Sequence, residues 1–237
     1  MSMSQPTSTP TGNRLLDRLP AHEYHRLRPH LQQAAWEFKQ VIYESRTPID
    51  YAYFPQRGVA SMVTLMEDGR CIEVATIGRE GVIGLTTLLG GEKTIARIIV
   101  QVPGNALRMK ASVLNAETDK DSRLRRLLLL YNVAFLKQLT QSVACNGLHS
   151  LVQRCCRWLL MNRDRIDSDE MPLTHESLAN MLGVRRSSVS EVLEPLQEKG
   201  LIRYRRGKLK ILNRKGIEAA ACECYRTVNE EFERLFG

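Results

Sequence analysis

Residues 185–191 read Arg-Arg-Ser-Ser-Val-Ser-Glu. A guanidinium offers parallel N–H donors that match a pair of acceptors such as O6 and N7 of guanine. A glutamate can accept from an exocyclic amine such as cytosine N4, and small hydroxyls reach either a base edge or a phosphate. Arg185, Arg186, Ser187, Ser188, Ser190 and Glu191 therefore suit the reading of base-pair edges, provided one rigid element holds them pointing outward.

The flanking residues predict that element. Thr174 is a helix N-cap with Glu176 near the positive helix end, and Leu178, Met181 and Leu182 form a buried face. Gly183 permits a sharp turn, and Val184 fills the gap between two helices. The second helix starts near Arg185–Ser187, buries Val189, Val192, Leu193 and Leu196, and ends at Gly200. Two helices joined by a short glycine turn form a helix-turn-helix, whose second helix presents its first turns to a major groove. Pro195 removes one backbone donor and predicts a kink behind the outward-facing turns. Next, "LIRYRRGKLKILN" reads as a hairpin with Arg205, Arg206 and Lys208 at its tip, a wing suited to phosphates.

Charge agrees with this. The chain has 237 residues and a net charge of +8. Ten basic residues against four acidic ones in 174–215 put six of those eight charges in this segment, which suits a polyanionic partner.

The rest of the chain has to carry and control this unit. Residues 1–13 read as a disordered tail without the apolar core of a secretory signal, so a cytoplasmic location is expected. Short helices broken at Pro20 and Pro29 fill 14–34. Across 36–110, the short β-rich pieces "QVIYES", "DYAYFP", "GVASMVTL", "RCIEVATIG", "ARIIVQV" and "NALRMK" alternate with turn signals, with a hairpin at Asp68-Gly69. They predict a small β-roll within a domain over 14–118.

A helix over 119–146 would run for about 40 Å. One apolar row on it contains Leu124, Leu128, Tyr131, Phe135, Leu139 and Val143; a second contains Leu127, Tyr131, Ala134, Gln138, Gln141 and Cys145. Two rows suit a helix packed on its own roll and on a second copy of itself, with Leu124 to Leu139 taken as the dimer row. Gly147 ends the helix, the winged unit fills 147–215, and a C-terminal amphipathic helix spans 216–237. No apolar run suits a membrane.

Six cysteines (Cys71, Cys145, Cys155, Cys156, Cys222, Cys224) form no Cys-x-x-Cys pair, so neither a metal nor any other cofactor is expected. They read as buried thiols, with adjacent Cys155–Cys156 and an exposed Cys222 open to redox chemistry. His149, His175 and the cysteines show no nucleophile–base spacing, so no enzyme is expected.

The order of roll, long helix and winged unit resembles the Crp/Fnr family of transcription regulators, most specifically over "LTHESLANMLGVRRSSVSEVLEPLQEKGLIRYRRGKLKI". The resemblance implies an α+β chain with an N-terminal antiparallel β-roll of the cyclic-nucleotide-binding kind, a long dimerisation helix and a C-terminal winged helix-turn-helix. It implies a homodimer on double-stranded DNA with a palindromic operator, a small-molecule effector in the roll and, for activation, RNA polymerase as partner. Cyclic-AMP-binding members place a Gly-Glu pair on ribose and an Arg-Ser pair on phosphate. Here these positions fall on Gly84-Leu85 and Ile95-Ala96, so the pocket is degenerate. Strand alternation puts Arg97 on the face of Ile95, where it could rebuild an anion site. The expected sensor does not bind cyclic AMP. The alternative reading is a ligand- or protein-binding module whose helix-turn-helix docks a protein.

Overall fold

The structure is a computed structural model describing residues 10–119 and 122–236. Residues 1–9 of the expected tail, and Lys120 and Asp121 of the expected long helix, lie outside the described residues. Asn13, assigned to the tail, is fully buried, and its side-chain amide donates to the carbonyls of Pro55 and Gly81, both at 2.9 Å. Paired in this way, it is part of the core.

Pro20 caps α1 (Ala21–Leu27), as its fixed φ favours. The next residues form strand β1 (Gln32–Trp36), where helix was expected for 31–34, because pairing with the long strand β5 (Arg97–Lys110) overrides local helix preference. β2 (Val41–Tyr43) also pairs with β5, and β3 (Tyr51–Leu65) lies between β5 and β4 (Cys71–Ile77). All pairings in this roll are antiparallel. The predicted hairpin joins β3 to β4, with Gly69 at φ +83°.

β3 and β5 are each one bent strand where two pieces were expected. Pro55–Gly58 and Pro103-Gly104 read as loops, but the register shows them to be bulges. Gly58 sits at φ +87°, and a Cβ at Gly104 would lie 2.2 Å from the Arg57 carbonyl oxygen. Glycine at both positions lets the strands cross closely as they bend.

α2 (Ala111–Thr118) leads to α3 (Arg123–Leu148), capped by Ser122. α3 runs one residue past Gly147, and α4 (Leu151–Ile166) starts from a Ser150–Gln153 capping box. The expected C-terminal helix is two: α7 (Arg214–Ala220) and α8 (Cys224–Phe236), separated where Ala221 turns extended. α8 folds back along α3. Its Val228, Phe232 and Phe236 join Leu15, Leu16, Leu19 and the α3 residues Leu124, Leu127, Leu128 and Tyr131 in one core.

This corrects the assignment of the dimer row. Leu124, Leu128 and Tyr131 are buried against the chain's own roll, N-terminus and α8, and Phe135 and Leu139 are half-buried. The row left bare is Leu129, Val133, Leu136 and Val143, with Val133 at 57%, Leu136 at 51% and Val143 at 75% exposure.

Candidate nucleic-acid interface

α5 (His175–Leu182) starts where Thr174 Oγ1 accepts the Ser177 N–H at 3.0 Å. Gly183 takes φ +66° to turn the chain into α6 (Arg186–Glu198). A Cβ at Gly183 would also sit 2.7 Å from Ile72 Cδ1 of β4, so glycine serves both the turn and the docking of this unit on the roll. Ser177 completes that dock: its Oγ accepts from Gln101 Nε2 of β5 at 2.9 Å, in a buried contact. Leu178, Met181, Leu182, Val189, Val192, Leu193 and Leu196 share one cluster, and Val184 packs on it. Pro195 lies within α6, three residues from its end and behind the first two turns.

Arg185, Arg186, Ser187, Ser190 and Glu191 are exposed, and Ser188 is half-buried. Arg185 is the N-cap and provides no side-chain cap, and the first turn contains no acid. Helix starts normally favour acids, because their free N–H groups are partially positive. Two arginines there are unfavourable for an isolated helix and favourable beside an anion. Ser190 is already engaged, since its Oγ lies 3.0 Å from Nδ1 of His175, whose ring packs 4.6 Å from that of Tyr204.

The wing consists of β7 (Ile202–Arg205) and β8 (Lys208–Ile211), with β6 (Glu170–Pro172) as a third strand on β8. Its tip turns through Arg206 and Gly207, both at positive φ. Arg205, Arg206 and Lys208 are exposed as expected. Arg203 and Lys210, counted in the basic segment but not assigned to the wing tip, are exposed on the same two strands. The register sets Arg203 opposite Lys210 and Arg205 opposite Lys208. Like charges directly across strands repel, and within the shallow groove they line, only Glu170 offsets them. Strand alternation over "IRYR" and "KLKI" is the signal that could have assigned both.

In the roll, Gly84, Leu85, Ile95 and Ala96 line a cavity of about 150 Å³ beneath α3, together with Met62, Ile83, Tyr131 and Phe135. Among the described residues, none in its wall is charged. Arg97 is absent from it and instead pairs with Glu44 at 2.8 Å. The alternation argument failed because Ile95 lies in a bend before β5 begins.

Cys222 is buried, not exposed, as are Cys155 and Cys156. Burial raises both vicinal thiols, Cys156 to about 11, so neither provides thiolate near neutral pH. The expectation of no metal-ligand set rests on spacing along the chain alone. Spacing along the chain hides a set the fold assembles: the donor atoms of Cys145, His149, Cys222 and Cys224 all lie within 4.8 Å of one another.

Two family models match the chain: the cyclic nucleotide-binding domain over residues 36–121, and the Crp-like helix-turn-helix domain over 153–220. No curated protein matches it. Among solved structures it is similar to FixK2 from Bradyrhizobium japonicum, at 19% identity and a TM-score of 0.70, over 81% of this chain and 98% of that one. It is also similar to TTHB099, a CRP-family transcriptional regulator from Thermus thermophilus, at 20% identity and a TM-score of 0.66, over 80% and 96% of the two chains. The c-di-GMP-responsive global regulator CLP of Xanthomonas campestris is similar at 16% identity and a TM-score of 0.65, over 81% and 98%. No helix among the described residues is long and apolar enough to cross a membrane.

Proposed function

We infer the function from one premise: the chain belongs to the Crp/Fnr family of DNA-binding transcription regulators. It works as a homodimer that sets two copies of α6 into major grooves of a palindromic operator, with half-sites about 34 Å apart. The winged unit spans 147–215, and the roll over 14–118 is its sensor. The observation carrying this reading is the bare start of α6, exposed, free of acid and bearing two arginines. Arg185, Arg186, Ser187 and Glu191 meet base edges or nearby phosphates, and Arg205, Arg206 and Lys208 hold backbone phosphates.

Arg186→Ala is expected to weaken operator binding by about 1–3 kcal/mol while hardly changing binding to unrelated DNA. Equal losses on both DNAs would remove Arg186 from base reading. Lys208→Ala is expected to weaken both alike and to flatten the salt dependence by roughly one counterion. Titrations on operator and scrambled duplexes at several salt concentrations measure all of this.

The sensor does not take cyclic AMP. The cyclic phosphate carries a charge, and among the described residues the cavity wall contains no cation to pair with it. An unpaired buried anion is strongly disfavoured. Cyclic AMP is therefore expected to leave operator affinity unchanged. A saturable tenfold change, about 1.4 kcal/mol of coupling, would overturn this. The apolar wall suits an uncharged, apolar effector instead.

A further inference from the structure

We propose that Cys145, His149, Cys222 and Cys224 bind one thiophilic divalent cation of the zinc(II) class. Cys145 lies in the last turn of α3, and His149 is its C-cap, whose backbone N–H donates to the Cys145 carbonyl at 3.1 Å. Cys222 lies in the link into α8, 77 residues from Cys145, and Cys224 is the first residue of α8. Cys145 Sγ lies 3.5 Å from Cys222 Sγ, and Cys224 Sγ lies 3.5 Å from His149 Nδ1. A tetrahedral zinc site with three sulfurs and one nitrogen has donor–donor edges of about 3.5–3.8 Å. The observed spacing therefore suits a single ion. An iron–sulfur cluster, which spreads its thiolates around several metal atoms, needs a wider cage. A disulfide needs a sulfur–sulfur distance of about 2.05 Å.

The surroundings fit the same chemistry. All three cysteines are buried. His149 turns Nδ1 inward, while Nε2 lies 3.2 Å from a carboxylate oxygen of Glu223. A carboxylate on the outer nitrogen is the usual device for orienting a metal-binding imidazole. Gln141 Nε2 donates to Cys224 Sγ at 3.1 Å, which suits a thiolate. Three thiolates, a neutral imidazole and a divalent cation sum to one negative charge, and buried Arg157 is near enough for its charge to act on Cys145. Binding displaces three thiol protons to solvent. With four protein ligands no coordination position is open, so the role is structural: the ion ties the last turn of α3 to the first of α8. The site stands whether or not α6 reads DNA.

The test uses the full chain, purified under a thiol reductant without metal-affinity steps, stripped with a chelator, then titrated with Zn²⁺ or Co²⁺. Expected are one ion per chain, proton release, thiolate-to-cobalt charge-transfer bands with a tetrahedral d–d spectrum, and a higher Tm with zinc. Cys222→Ser and Cys224→Ser are expected to weaken zinc binding at least about 100-fold, and Glu223→Gln about tenfold. Cys71→Ser is expected to bind as wild type. Circular dichroism of each variant separates lost binding from lost folding, and Glu223→Gln, at an exposed position, tests the site without removing a ligand. The proposal is overturned if the folded chain takes up no stoichiometric zinc or gives an octahedral cobalt spectrum. It is equally overturned if the chain contains iron and sulfide, isolates with a Cys145–Cys222 disulfide in place of metal, or binds zinc undiminished in both serine variants.

Discussion

Val133→Asp and Leu136→Asp are each expected to leave the chain folded but monomeric, and to cut operator affinity by two to four orders of magnitude. Every apolar residue on the inner side of α3 already has a partner within the chain, from Leu124 to Ala134. On the outer side, Leu129, Val133, Leu136, Thr140 and Val143 are exposed, stepping four, three, four and three residues. That step is the a/d repeat by which two helices interlock, and a two-fold axis along it would bury each residue twice. An aspartate in the seam places two carboxylates face to face across the axis and removes both from water. Within the monomer the position faces solvent, so folding is untouched and circular dichroism stays unchanged. Two tethered reading heads gain about 10²–10⁴ in avidity over one, and a monomer forfeits that factor. Sedimentation equilibrium and operator titration measure the two effects. A dimeric Val133→Asp that still binds the operator moves the seam elsewhere. A monomeric wild-type chain ends the palindromic reading altogether.

The same helix shows where sequence reading stops. Apart from Val143, both apolar rows read from the sequence are covered by the chain itself, and the bare row through Leu129, Val133 and Leu136 lies outside either. Leu15, Leu16, Leu19, Phe232 and Phe236 meet on it from the two ends of the chain, and no local pattern announces that closure. The cysteine–histidine set was hidden for the same reason, since its halves lie on α3 and beyond α7. What was legible is what local chemistry specifies. Thr174, Gly183 and the buried positions of α5 and α6 mark the helix-turn-helix, and Asp68-Gly69 marks the β3–β4 hairpin of the roll. Glycine and proline in β3 and β5 misled because a bulge uses the same residues as a turn. Arg97 misled because alternation holds only inside a strand.

Arg165 is the other residue whose role comes wholly from the fold, and removing its charge is expected to cost about 3–5 kcal/mol. It belongs to α4, the first helix of the winged unit, and its Nε donates to Oε1 of Glu80 in the roll at 2.8 Å. Both side chains are almost completely buried, at 6% and 7% exposure. Nη1 donates to the Met161 carbonyl at 2.9 Å, and Nη2 to Oε1 of Gln138 on α3 at 3.2 Å. Gln138 in turn donates to the Thr76 carbonyl at 3.0 Å, and the Gly78 N–H donates to Glu80 at 3.1 Å. A Cβ at Gly78 would lie 2.7 Å from Arg165 Cγ, so glycine there makes room for the arginine stem. Roll, long helix and winged unit thus meet on one guanidinium. Arg165→Met fills the space but leaves the buried Glu80 carboxylate without its cation. The expected loss corresponds to a Tm lower by roughly 6–20 °C. Glu80→Leu strands Arg165 in the same way. The double variant Arg165→Met/Glu80→Leu is expected to return to within about 1–2 kcal/mol of wild type, because a buried ion pair is little better than apolar residues of its volume. Urea unfolding of the four proteins closes the cycle, and coupling below about 0.5 kcal/mol would mean that the pair acts as two independent side chains.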